Sequence, residues 1–185
     1  MIVVKNKRCK RENILKEYPD AIILDVTSKG DWAKLSPFYP HGGIPVPFSD
    51  GVFSMSVEGI WQGLKVFEHE GIDYDSFRNS TMKGLKRTVR THGRCLGHRK
   101  GVNSSELLDY IDARKQIYVP SYIWMLENRC QKQVEILRNL VETRPVVLLD
   151  YDTNDNIEDP RKPLSHASLI KGYIEGVFIT KNLGK

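Results

Sequence analysis

The run PVVLLDY at 145–151 limits the possible folds more than any other segment. It sets four apolar residues in a row, opened by Pro145 and closed by Asp150, and its length suits a strand rather than a helix. With no polar residue to turn toward solvent, such a strand is expected to be buried on both faces, so it needs covering layers on either side. AIILDV at 21–26 is a second run of the same type and reads as another buried strand. A short strand at 2–4 and a helix over 11–18, stopped by Pro19, precede it.

Between these runs the pattern is mostly helical. The Gly/Pro density of SKGDWAKLSPFYPHGG argues for a loop, and IPVPFSDGVFSMS reads as a hairpin turning at Ser49-Asp50-Gly51, where Asp-Gly supplies positive φ. Ser56 is placed to cap a helix from Val57 to about His69, closed by Gly71. A second helix is expected over 74–89, broken by Gly84, followed by a glycine-rich loop, THGRCLGHRKG. Asn103 with Glu106 reads as a capping box opening a helix to about Gln116. Pro120 suits the first turn of the longest helix, 121–142, whose apolar positions Ile123, Leu126, Cys130, Val134, Leu137 and Leu140 keep helical spacing. Ser165 caps a helix over 166–174, and GVFIT at 176–180 reads as a final strand. The expected fold is α+β, mainly helical with a few short strands, in a single domain over residues 1–185.

Composition excludes several classes. Hydrophobic residues make up 40% of the chain and charged residues 28%, a globular balance rather than a disordered or fibrous one. No apolar run approaches the roughly 18 residues of a membrane span. The opening MIVVKNKRCK puts charge straight after three apolar residues, unlike a secretory signal. Cys9, Cys95 and Cys130 form no CxxC pair, and the five histidines show no HExxH, so neither a disulfide framework nor a metal is expected. A reducing cytoplasm is the expected location.

Charge is unevenly placed. Eight of the 28 basic residues fall between Arg78 and Lys100, a stretch without Asp or Glu. The other 20 face 23 acidic residues, so the positive excess is local. A local excess points to a phosphate-bearing partner, with an ordinary solvated helix face as the plain alternative.

The helix VEGIWQGLKVF carries the most unusual residues. Glu58 and Lys65 are seven apart, so on one helix they lie within about 20° of each other, with Trp61 and Gln62 on or beside the same stripe. Charged groups on a helix this apolar need partners and often mark a site; the solvent face of an amphipathic helix is the other reading. GRCLGHR offers Arg94, His98 and Arg99 among glycines, where backbone N–H groups can approach phosphates. Phe38, beside Ser36 and Pro37 in the loop, is a candidate platform for a base.

Taken in order, LSPFYP, VEGIWQGLK, GRCLGHR, YIWMLENRCQKQ, VVLLDYDTND and SHASLIKGYIEG resemble the successive motifs of the NADAR (YbiA-like) family. The match spans 35–176, and residues 1–30 form an N-terminal strand–helix–strand extension packed on that core. The acidic loop departs from the family: Asp155 falls where its Asp stands, but Glu158 and Asp159 replace the Trp-Gly that follows.

The resemblance implies an N-glycosidase that cleaves ribose C1 from a nitrogen, with ADP-ribosylated nucleobases, guanine in particular, or small N-ribosyl metabolites as substrates. It implies Glu58, Lys65 and Asp155 as catalytic residues. Substrate contacts would come from Ser36, Pro37, Phe38, Trp61, Gln62, Arg94, His98 and Arg99, with the two arginines on the pyrophosphate and no metal or other cofactor. The basic segment fits ADP-ribosylated DNA or RNA, hence an antitoxin or phage counter-defence role. The alternatives are a small-molecule N-glycosidase on a riboflavin-pathway-like intermediate, and a non-catalytic nucleotide- or nucleic-acid-binding protein.

Overall fold

A computed structural model describes residues 1–27 and 30–177. It is an α+β structure whose contacts divide into two compact units, one from residues 1–36 with 130 onward and the other from residues 37–129.

The first unit is built on a parallel three-stranded sheet in the order β1 (Ile2–Asn6), β8 (Val146–Asp150), β2 (Ile22–Asp25). The apolar run behaves as its sequence requires: β8 is the central strand, and Val146, Val147 and Leu148 have no exposed surface. AIILDV does not. As an edge strand β2 pairs on one side only, and its four residues are all half-buried. The N-terminal strand–helix–strand supplies two of the three strands, so it is part of the sheet rather than an addition to it. Helix α1 (Arg11–Glu17) buries Ile14 against Ala21 and Val147. Helix α7 (Gln131–Thr143) buries Val134 and Leu137, and α8 (His166–Ile174) is capped by Ser165, whose hydroxyl accepts from the Ser168 N–H. A 3-10 turn at Asp31–Leu35 replaces part of the expected loop. The GVFIT strand reaches beyond the described residues.

The second unit holds the β3–β4 hairpin (Ile44–Pro45, Phe53–Ser54), with Gly51 at φ 73 in its turn, and an antiparallel sheet β5–β6–β7 (Lys65–Phe67, Cys95–Arg99, Leu107–Leu108). The glycine-rich GRCLGHR thus holds a strand, not a loop. Helix α2 (Val57–Gly63) is buried at every residue. Its N-terminus is closed by the Ser56 hydroxyl, 2.9 Å from the Gly59 N–H, and by the Pro37 carbonyl, which accepts from the Glu58 N–H at 2.8 Å. Helix α3 (Tyr74–Arg78) packs on its glycines: a Cβ on Gly59 would lie 2.6 Å from the Ser76 carbonyl oxygen, and one on Gly63 would enter the Phe77 ring.

Four expected helices change shape. The helix from Val57 ends at Gly63, not His69, because other elements take its last carbonyls: Asp73 N–H bonds Gly63 O, Arg99 N–H bonds Leu64 O, and the Arg87 guanidinium bonds Gln62 O and Lys65 O. The 74–89 helix shrinks to α3 and a short α4 (Val89–His92). The helix expected after Asn103 begins at Asp109, whose carboxylate caps α5 (Tyr110–Ala113); a π-helical turn (Arg114–Tyr118) then leads into α6 (Val119–Asn128). The 121–142 helix is therefore two, α6 and α7, which break at Arg129–Cys130. The Asn128 amide bonds Trp124 O, and Arg129 bonds Gly42 O. The apolar spacing stays in phase across that break, so periodicity could not reveal it.

Candidate functional site

The second unit brings together six of the expected residues: Pro37, Glu58, Trp61, Gln62, Lys65 and His98. Because α2 stops early, Lys65 is on strand β5 rather than on the helix of Glu58. It still reaches that helix through Gln62. Lys65 Nζ donates to Gln62 Oε1 at 3.1 Å, and Gln62 Nε2 donates to Glu58 Oε1 at 2.8 Å. Gln62 Oε1 also accepts from the Arg87 N–H at 3.1 Å. Two obligate donors on that oxygen fix the orientation of the amide. Glu58 and Gln62 are 7% and 5% exposed, so the carboxylate sits at the edge of the packed interior rather than in bulk water.

Burial holds the Lys65 ammonium below its usual pKa, against the opposing pull of Cys95 and Glu58; nearby Arg87 and Lys86 lower it further. Desolvation disfavours the charged form of an amine, so part of this lysine's basicity is lost.

His98 lies opposite Lys65 in the β5–β6 ladder, where directly paired residues share a face of the sheet. Its ring packs on Trp61, with centroids 3.8 Å apart and planes 32° apart. Burial, with Lys65 nearby, pushes its pKa down to about 3. The imidazole is therefore neutral at physiological pH and unsuited to act as a cationic phosphate clamp. Both ring nitrogens are buried without a hydrogen-bond partner. Leaving one such group unsatisfied costs about 1–3 kcal/mol. Trp61 is 9% exposed, with Tyr110 and Tyr118 edge-on to it. One face is taken by His98, so it packs the site rather than offering an open stacking surface.

The remaining expected residues are placed differently. Phe38 is half-buried, with the Lys86 ammonium 5.8 Å above its ring. Arg94 is exposed; Arg99 is half-buried and donates to Ser104 O at 2.7 Å. Ser36, buried, and Asp155, exposed, belong to the first unit.

Sequence reasoning missed Arg87, which it counted only as charge. Arg87 is buried and donates to Gln62 O, Lys65 O and, at 2.9 Å, Glu70 Oε2. No local motif announces this role, because its partners lie 17 to 25 residues away. Also unforeseen was the π-helical turn carrying Arg114, a fully buried arginine stacked 4.3 Å from the Tyr110 ring centre. The turn packs against α2. In the rest of the basic segment, Arg78, Lys83, Lys86, Arg90 and Arg94 are exposed, while Lys100 pairs with Glu106.

In the first unit Asp150 and His166 also form a close pair, 3.0 Å apart, held among capping and backbone groups. Asp150 accepts from Ser165 and from two backbone N–H groups, and the second nitrogen of His166 meets Val26 O. Among the described residues no group of three His, Cys, Asp or Glu is arranged to hold a metal ion, and no helix is long and apolar enough to cross a membrane.

Residues 6–170 match a family of unknown function, DUF6939. The chain belongs to the DUF6939 family. The DUF6939 match takes in every candidate residue from Ser36 to Asp155, and it includes β2 and β8, two of the three strands of the parallel sheet. No curated protein and no solved structure matches the chain significantly.

Proposed function

We propose that this chain is an N-glycosidase, a hydrolase that removes ADP-ribose from modified nucleobases, guanine in DNA or RNA foremost, and so reverses a toxin ADP-ribosyltransferase as an antitoxin or phage counter-defence enzyme. The observation that carries this reading is the hydrogen-bonded chain from Lys65 through Gln62 to Glu58. It holds a carboxylate and an amine of reduced basicity in one mostly buried patch. The resemblance of the successive motifs to the NADAR family supports the same chemistry.

Cleavage of an N-riboside builds positive charge at C1 and O4 of the sugar, and a fixed carboxylate, Glu58, stabilises it. Lys65 serves in one of two ways. As an ammonium it hands a proton to the departing base nitrogen. As a free amine it attacks C1 of the ring-opened ribose and expels the base, leaving a Schiff base that water hydrolyses to free ADP-ribose and the regenerated amine. The lowered pKa serves both routes, since it makes the ammonium a stronger acid and raises the share of free amine.

The exposed cations Lys83, Lys86, Arg90 and Arg94 favour a polyanionic substrate over a free N-ribosyl metabolite. The test is incubation with ADP-ribosylated DNA, RNA, protein and free nucleotides, followed by detection of released ADP-ribose. Release from ADP-ribosyl-guanosine oligonucleotides is expected. Binding without release from any of them would overturn the ADP-ribosyl hydrolase reading and favour the non-catalytic alternative.

A further inference from the structure

Strand β6 concentrates an anomaly. Among the described residues, four buried side-chain polar atoms have no hydrogen-bond partner; three of them sit on two adjacent residues, Nδ1 and Nε2 of His98 and Nε of Arg99. Folded proteins pair nearly all such atoms, so an orphaned imidazole calls for an explanation. Packing alone does not give one: an apolar ring at position 98 would cover Trp61 without stranding two polar atoms. Nor is His98 tied to the hydrogen-bonded chain of the site, although it shares a sheet face with Lys65.

We infer that His98 is a ligand contact, a neutral imidazole that hydrogen-bonds an uncharged hydroxyl of the bound sugar on the face of the β5–β6 sheet that also carries Lys65. This rests on the N-glycosidase reading and refines it. A neutral imidazole has one donor and one acceptor, which matches a sugar hydroxyl, itself donor and acceptor. It offers nothing to balance the charge of a phosphate, so the pyrophosphate of the ligand lies elsewhere. Neither nitrogen is open to solvent, so a neighbouring side chain must swing aside as the ligand enters. Lys65 is the long flexible chain on that face, tethered by bonds of 3.1 Å to Gln62 Oε1 and 3.5 Å to Arg87 O.

The test is nitrogen NMR of the full chain labelled at its histidines, with the His98 signals assigned by their loss in His98→Phe. ADP-ribose, which carries the terminal ribose, is expected to shift both His98 ring resonances, and ADP, which lacks it, to leave them in place. By calorimetry His98→Phe is expected to weaken ADP-ribose binding about tenfold with ADP binding unchanged, and His98→Gln, which keeps a donor and an acceptor, to recover part of the loss. Shifts with both ligands would assign the imidazole to the adenosine diphosphate part that the two share rather than to the terminal ribose, and shifts with neither would leave it a packed or water-bonded side chain; either result overturns the inference. Turnover is judged separately, by ADP-ribose release from a modified oligonucleotide. If the His98 signals respond but nothing is released, the hydroxyl contact stands and the glycosidase reading falls. Release without a His98 response gives the reverse.

Discussion

Gln62 presents its amide nitrogen to Glu58 Oε1 at 2.8 Å, four residues back on the same buried helix. Its oxygen meanwhile receives Lys65 and the Arg87 backbone. The carboxylate and the amine are thus joined through a single side chain that cannot flip without placing its NH₂ against two donors.

Glu58→Gln is expected to lower ADP-ribose release by about a hundredfold, the scale of losing one fixed electrostatic contact to the transition state. The replacement is isosteric, so the urea midpoint should stay close to wild type. Near-normal release from a folded Glu58→Gln protein sinks the catalytic assignment.

Lys65 has a depressed pKa in the folded protein, so as a nucleophile it gains strength as pH rises through that value, below the ordinary 10.5. Borohydride trapping of a substrate adduct should increase with pH and vanish in Lys65→Ala. Between the folded and unfolded pKa values the unfolded chain binds more protons, so this group's contribution to stability rises with pH. Absence of any trapped adduct in wild type would confine Lys65 to the proton-donor role.

His98 sets an acid limit on stability. Its pKa is about 3 folded against 6.5 unfolded, so its full contribution is present above 6.5 and falls as pH drops toward 3. At about pH 4.5 the loss is on the order of 2–3 kcal/mol. Urea unfolding at pH 7.5 and 4.5 measures it, and His98→Phe should show a smaller drop between the two. An equal drop in both proteins shows that the acid sensitivity arises elsewhere.

Gly63→Ala puts a methyl into the Phe77 ring, a clash between α2 and α3 that the packed ring must shift to relieve. A destabilisation of about 1–3 kcal/mol is expected in denaturant melts. Phe77→Leu in the same chain should restore part of it; if the glycine change alone is silent, the close helix approach is not as tight as described.

Replacing Lys83, Lys86, Arg90 and Arg94 by alanine should leave the fold intact, since all four side chains are exposed. It should also make the dependence of nucleic-acid affinity on salt shallower by about three units in the log–log slope. Arg87→Ala, by contrast, should unfold the second unit more readily, because it removes the guanidinium that bridges the Gln62 carbonyl of α2 to the Lys65 carbonyl of β5. An unchanged salt slope in the fourfold variant would remove the polyanion from the reading.

Strong local signals were legible and held. The apolar run at 146–149 forms the central strand, Ser56 and Ser165 cap their helices with their own hydroxyls, and Asp50-Gly51 turns the hairpin. Each depends on neighbours within a few residues, so composition and spacing suffice. On VEGIWQG the sequence left Glu58 open between a partnered site residue and a solvent face, and its 7% exposure decides for the interior.

Long-range competition for backbone groups was not legible. The sequence by itself determined that Glu58 and Gln62 share a face of one helix and that positive charge gathers between Arg78 and Lys100. Only the tertiary structure decided that the helix ends before Lys65, that Arg87 leaves the charged surface to hold that end, and that His98 turns inward onto Trp61. A hydrogen bond closing over 25 residues or a ring stack across a sheet leaves no periodic trace in the chain, and its energy outweighs the local preferences that periodicity reports.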